Sequence, residues 1–258
     1  MLRAVEPAAW LAFLQELADA ADALALGHFR SRDLRVDTKP DRSLVTAADL
    51  AIEEAVRRLT RTRYPGLGIF GEEQGESGDR GDRIIVDPID ATANFARGIP
   101  IFATLLALEL EGEVVAGLVS APALATRWWA ARGAGAHRNG KPIRVSGVRE
   151  LSLAQAFHGS HGGSEAAVLP DAWPELLRST HRQRGFGDFY QHVLVAEGAG
   201  ELAFDPVLKP WDAAPLIVLA EEAGGAASAL DGTRSIYAGS LLTTNGHLHE
   251  QIRTRLLG

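Results

Sequence analysis

Ile84-Ile85-Val86-Asp87-Pro88-Ile89-Asp90-Ala91-Thr92-Ala93-Asn94-Phe95 is the stretch on which the reading of this chain turns. A run of strand character ends in two acids three residues apart, with a proline between them. Pro88 removes a backbone donor and stiffens the turn, so Asp87 and Asp90 can converge with the carbonyl of Ile89 between them. Two carboxylates and a carbonyl are the oxygen ligands that a hard cation such as Mg²⁺ takes. The residues from Ala91 to Phe95 open a helix, whose first amides and positive dipole end bind phosphate without arginine. Metal ligands just before an anion-binding helix start are the two halves of a metal-assisted phosphatase. Turn capping by the two acids is the plainer alternative.

Two more acids extend the set. Glu72 follows a short apolar run, 67–70, and Gly71; Asp212 follows Pro210-Trp211 at a helix start. By themselves they also read as a solvated loop acid and an N-cap. Outward from these positions the patterning alternates between strands and amphipathic helices. A first helix from Pro7 turns Trp10, Leu11, Leu14, Leu17, Ala21, Leu24 and Ala25 to one face and ends at Gly27. A second, N-capped by Thr46, carries Leu50, Ile52, Ala55, Val56 and Leu59 inward and stops before Tyr64-Pro65-Gly66. Residues 37–42 and 74–82 read as polar loops. Hairpins are expected about Glu111-Gly112-Glu113 and about Asn139-Gly140, the second joining 127–131 to 143–145. Beyond residue 150 the order is strand 154–159, helix 187–197, strand 202–204, helix 211–223 stopped by Gly224-Gly225, strands 226–230 and 241–244, and a helix from about His247. This divides the chain into an N-terminal α+β part, 1–150, and a C-terminal α/β part, 151–258.

Composition sets the outer limits. The 258 residues are 46% hydrophobic and 23% charged, a globular balance. Thirty-three acids against 26 bases give a net charge of −7, which argues against nucleic acid and anionic membranes as partners. The absence of cysteine removes disulfides, zinc–thiolate sites, iron–sulfur clusters and thiol nucleophiles. MLRAVEPAAW carries no apolar secretion core, and no run is long enough to span a bilayer, so a soluble, cytoplasmic protein is expected. His158 and His161 read as core or solvated residues, Trp128-Trp129 as packing residues, and Arg178 and Arg182 as a solvated face.

Gly71-Glu72-Glu73, Val86-Asp87-Pro88-Ile89-Asp90-Ala91-Thr92 with Asn94-Phe95, and Trp211-Asp212-Ala213-Ala214 followed by Glu222-Ala223-Gly224-Gly225 resemble, in this order and across nearly the whole chain, the motifs of the inositol monophosphatase family of Mg²⁺-dependent, lithium-sensitive phosphatases. Softer matches resemble its bacterial histidinol-phosphate phosphatase branch: Asp37-Thr38-Lys39-Pro40-Asp41, Ser120-Ala121-Pro122-Ala123-Leu124, Arg127-Trp128-Trp129-Ala130-Ala131-Arg132-Gly133, Gly187-Asp188-Phe189 and Thr244-Asn245-Gly246. The resemblance implies the layered αβαβα sandwich of the inositol monophosphatase and fructose-1,6-bisphosphatase superfamily, commonly a homodimer. It implies that Glu72, Asp87, the Ile89 carbonyl, Asp90 and Asp212 hold two or three Mg²⁺. Asp49 and Thr92 would orient or deprotonate the attacking water, with the amides of Ala91 and Thr92 on the phosphate. Arg184, Asp188 and Asp205 would line the leaving-group pocket. The implied activity is hydrolysis of a small phosphorylated metabolite, histidinol phosphate before inositol 1-phosphate or another sugar or nucleotide phosphate. An inactive module that only binds such a metabolite is the alternative of another class. Two positions depart from the family pattern. Ala91 stands where glycine is usual, which calls for a negative φ there, and Ala93 is smaller than the residue common at its place.

Overall fold

In the computed structural model, which describes residues 7–40, 43–162 and 167–257, the central strands are buried on both faces, which explains the layering. Asp41 and Arg42 lie outside the described residues. In chain order the elements are a 3₁₀ turn Pro7–Trp10, α1 (Leu11–His28), β1 (Val36–Thr38), β2 (Leu44–Thr46), α2 (Ala47–Arg63), β3 (Gly68–Gly71), β4 (Gly75–Ser77), β5 (Arg83–Asp90) and α3 (Thr92–Ala96). Then come β6 (Ala103–Leu110), β7 (Glu113–Ala121), β8 (Thr126–Ala131), β9 (Gly135–Arg138), β10 (Lys141–Pro142) and β11 (Gln155–His158). The rest are α4 (Trp173–Arg178), β12 (Arg182–Gly185), α5 (Asp188–Ala196), β13 (Leu202–Asp205), α6 (Pro210–Glu222), β14 (Ala226–Ser228), β15 (Leu241–Thr244) and α7 (His249–Leu257).

Eight strands form one sheet in the order β10-β9-β8-β7-β6-β5-β3-β4, and five form a second in the order β12-β11-β13-β15-β14. Successive side chains of a strand point to opposite faces. Ile84, Val86, Leu106 and Leu108 therefore pack under α1 and α2 with Leu14, Leu17, Ile52 and Val56. Ile85, Leu105 and Ala107 pack on the other face against Val193, Ala214 and Val218 of α5 and α6. These two helices also touch the second sheet, and its far face is covered by α4 and α7 through Trp173, Leu176, Ile252 and Leu256. The result is the expected αβαβα sandwich. Gly117 on β7 lets α6 approach: a Cβ there would come within 2.7 Å of the Pro215 Cα. No helix among the described residues is long and apolar enough to cross a membrane.

Several local expectations are corrected. Leu50 is 50% exposed, because at 3.6 residues per turn it lies ~160° around α2 from the buried Ile52. The first helix runs through Gly27 to His28. The segment 74–82 is not all loop, since β4 pairs antiparallel with β3. Asn139-Gly140 does form a two-residue turn with both φ positive, but such a turn pairs its immediate flanks, so it joins β9 to β10 and leaves 143–145 outside the strands. Trp128 is buried, with its indole N–H on Glu197 Oε2 at 2.9 Å, and Trp129 stacks on His137.

Candidate metal centre and adjoining cleft

Asp87 and Asp90 end β5, where pairing with β6 slips between the two residues. Pro88 has no N–H to give the ladder, and its carbonyl accepts from Thr104 Oγ1 at 2.8 Å. Asp212 arrives from the opposite direction in the first turn of α6, its Oδ2 accepting the Lys209 N–H at 2.9 Å. Asp87, Asp90 and Asp212 each present one carboxylate oxygen, all within 4.8 Å of one another. Asp87 Oδ1 is buried without a hydrogen-bond partner. Burial, then the charges of Glu72, Asp90 and Asp212, push Asp87 well above the usual carboxylate range. Burial, then Asp188 and Asp212, do the same to Asp90. Burial raises Asp212 to about 7 against the Lys209 bond, with Glu72 adding to the rise. Three clustered carboxylates with an orphaned oxygen fit a divalent cation, which would relieve both burial and repulsion.

Glu72, Ile89, Ala91 and Thr92 line the same cleft, which has a volume of about 330 Å³. Glu72 stands outside the three-carboxylate group and is bound by Lys39: the ammonium donates to Glu72 Oε1 and Glu73 Oε1, both at 2.7 Å. Burial alone would lower the Lys39 pKa, but these two acids outweigh it and hold the ammonium above its ordinary value. Asp49 sits in the first turn of α2 as half of a capping box, its Oδ2 accepting from the Thr46 N–H at 2.8 Å and hydroxyl at 2.5 Å. Its Oδ1 is buried and unpartnered, and burial raises the group to about 6, with the charge of Glu72 contributing. Thr92 Oγ1 donates to the Ile89 carbonyl at 2.9 Å.

A second cleft of about 370 Å³ shares Asp90 and Asp212 with the first and takes in Asp188 and Asp205. Asp188 opens α5 after Gly187, both at positive φ. Asp90 Oδ2 accepts the next amide, Phe189 N–H, at 2.7 Å, so one metal-site acid also fixes the wall of the second cleft. Asp205 ends β13 and binds His192. Arg184 is not brought to this cleft: it is exposed on β12, with its guanidinium on the Gln183 carbonyl. Ala91 has φ +64° and ψ +45°, so the negative φ expected for alanine is overturned. The left-handed turn that starts α3 is imposed by the surrounding structure at about 1–2 kcal/mol.

Sequence reasoning missed Glu53 and Arg57. Glu53 Oε2 accepts Glu73 N–H at 2.7 Å, Oε1 accepts Gln74 N–H at 3.0 Å, and Arg57 Nε reaches Oε1 at 2.8 Å. The buried pair thus holds the loop carrying Glu72. The available signal was their spacing, Asp49, Glu53 and Arg57 falling four apart on one helical face. His192 was missed as well, being enclosed among the buried residues of a largely apolar helix.

The sequence model of the inositol monophosphatase family matches residues 6–257. A histidinol-phosphatase of Mycobacterium tuberculosis is 45% identical over 246 residues, covering 93% of this chain and 95% of that protein. An inositol-1-monophosphatase of Caulobacter vibrioides is 32% identical over 252 residues, covering 92% and 96%. Among solved structures, an IMPase of Thermotoga maritima superposes with a TM-score of 0.87 at 28% identity, over 96% of each chain. With the acidic centre at the end of β5 and the sandwich around it, these matches over nearly the full length make the chain a member of the inositol monophosphatase family and a phosphatase.

Proposed function

We propose that the chain is a Mg²⁺-dependent phosphomonoesterase that hydrolyses L-histidinol phosphate to L-histidinol and phosphate. The observation that carries the substrate is the second cleft, which adjoins the three-carboxylate centre and adds Asp188 and Asp205 to its wall. A leaving alcohol bearing an ammonium and an imidazole finds opposite charge there, as a neutral polyol does not. The relatives named histidinol-phosphatase, from Mycobacterium tuberculosis and at 42% identity from Streptomyces coelicolor, support the same choice.

Glu72, Asp87, the Ile89 carbonyl, Asp90 and Asp212 would hold two or three Mg²⁺. When bound, the metal supplies Lewis acidity that acidifies water and offsets charge on phosphate and leaving oxygen. The chain does the positioning. Asp49, whose free oxygen is buried and whose pKa is raised to about 6, orients the attacking water with the Thr92 hydroxyl and takes its proton. The amides of Ala91 and Thr92 hold the phosphate, and Asp188 and Asp205 hold the departing alcohol. In this reading residues 1–150 supply most metal ligands and residues 151–258 the leaving-group cleft and the last ligand. A cytoplasmic homodimer acting on a small phosphorylated metabolite completes the proposal, on the family resemblance.

Inositol 1-phosphate is the second reading, favoured by the inositol-1-monophosphatase relatives and by the capacity of the same carboxylates to accept hydroxyl hydrogen bonds. Phosphate release from a panel of phosphomonoesters, with and without Mg²⁺, separates the cases. Mg²⁺-dependent release from histidinol phosphate well above inositol 1-phosphate is expected. The reverse order favours the second reading, and no release from any ester favours a binding module.

A further inference from the structure

We infer that His192 is a positioning residue that fixes the carboxylate of Asp205 and thereby the preference of the second cleft for a cationic alcohol; the inference rests on the substrate reading above. His192 lies on α5 and is 1% exposed. Its Nε2 is 2.9 Å from Asp205 Oδ2, and its Nδ1 is 2.8 Å from Thr243 Oγ1 on β15. An ionised carboxylate only accepts, so Nε2 carries the proton. Nδ1 then accepts from the Thr243 hydroxyl, and one tautomer of the ring satisfies both partners. Ala203 pairs with Thr243 in the sheet, so the strand that ends in Asp205 and the strand that orients the imidazole are neighbours.

The arrangement answers an electrostatic problem. Asp205 shares its cleft with the carboxylates of Asp90 and Asp212. A carboxylate free to rotate would swing away from those anions. A bond from a buried ring, itself held from the neighbouring strand β15, keeps it in the wall. His192 is not in the cleft lining, so it acts through Asp205 and does not touch the substrate.

The test compares kcat/KM at saturating Mg²⁺ for L-histidinol phosphate and for glycerol 2-phosphate, whose alcohol is uncharged, in the wild type, His192→Gln, Asp205→Asn and the double variant. The expected result is a wild-type preference for the cationic ester that falls about tenfold in His192→Gln, the loss residing in KM. Asp205→Asn should lose at least as much, and the double variant no more than Asp205→Asn alone, since both act through one contact. Thr243→Val frees Nδ1 and should shift the preference the same way even if His192→Gln does not fold. A preference that survives His192→Gln and Thr243→Val, equal losses on both esters, or additive losses in the double variant would overturn the inference alone. A wild type without the preference overturns the substrate reading and the inference with it.

Discussion

Replacing Glu53 by glutamine alters one atom of a buried carboxylate and should loosen the loop that carries Glu72. Both oxygens are committed, Oε1 to Arg57 Nε and Gln74 N–H, Oε2 to Glu73 N–H. Arg57, 2% exposed, spends its remaining nitrogens on Ser77 Oγ at 2.9 Å and the Gly75 carbonyl at 2.5 Å. Gly71 makes room for the carboxylate: a Cβ there would lie 2.4 Å from Glu53 Oε1. Glutamine keeps the volume and one acceptor, but its amide must face either Arg57 or the Glu73 N–H, donor against donor. One charge-assisted bond is lost and a buried donor is stranded, a cost of about 2–3 kcal/mol. At roughly 2–4 °C per kcal/mol for a chain of this size, Tm should fall by about 4–12 °C. Because the disturbed amide directly follows Glu72, the Mg²⁺ concentration giving half-maximal thermal stabilisation should rise about tenfold or more. Thermal melts in EDTA and across a Mg²⁺ titration read both effects. A variant that melts with the wild type and titrates alike would refute the reasoning; a lower Tm with unchanged Mg²⁺ dependence would refute the coupling to Glu72.

Asp90→Asn removes one of three converging charges while its retained oxygen can still accept from Phe189 N–H, so the fold should stand and most phosphate release at modest Mg²⁺ should vanish; near wild-type turnover would contradict the ligand assignment. Asp49 and Asp212 titrate in the fold at about 6 and about 7, against 3.8 for an ordinary aspartate, so their contribution to metal-free stability is present in full below about pH 4 and is lost as pH rises through 6 to 7. The EDTA-treated protein should accordingly melt lower at about pH 8 than at about pH 5, with Mg²⁺ restoring more at the higher pH, and a metal-free Tm that climbs with pH would count against this. Gly117→Ala sets a Cβ 2.7 Å from both the Pro215 Cα and Val218 Cγ1, so denaturant unfolding should show a loss of about 1–3 kcal/mol, and an unchanged midpoint would mean that α6 is less tightly seated on β7 than its contacts imply.

The parts of this molecule that were legible in sequence are those whose cause is local. Continuous apolar runs wrote β5 and β6, the Thr46 cap wrote the start of α2, and the Asp87-Pro88-Ile89-Asp90 turn pointed to its chemistry. Asp212 was reached through its motif, and the structure brings it within 4.8 Å of Asp87 and Asp90. What stayed hidden depends on partners far along the chain. Glu53 and Arg57 hold residues 18 to 21 positions away, and the pair His192 and Thr243 is separated by 51, so no window of sequence contains both ends. Leu50 misled because an apolar residue was counted without its angle on the helix. Arg184 misled because a motif fixes order along the chain and not the direction of a side chain.

Ala91 shows how far the site overrides local preference. The turn from β5 into α3 must reverse within a few residues, at the wall of the cleft that Asp87, Asp90 and Asp212 also line. That reversal puts residue 91 in the left-handed region, where alanine costs about 1–2 kcal/mol. Ala91 is 9% exposed within the cluster of Phe95 and Phe102, and burial of its methyl returns about 0.8 kcal/mol. Alanine also restricts the unfolded chain more than glycine, by about 0.4–1 kcal/mol. The three terms nearly cancel, so glycine and alanine are close alternatives here in stability although only one is conformationally at ease. Strain at Ala91 and repulsion among Asp87, Asp90 and Asp212 fall within a single turn and the helix facing it. Such a concentration of unfavourable terms in an otherwise well-packed sandwich is what the proposed cation and phosphate site would call for.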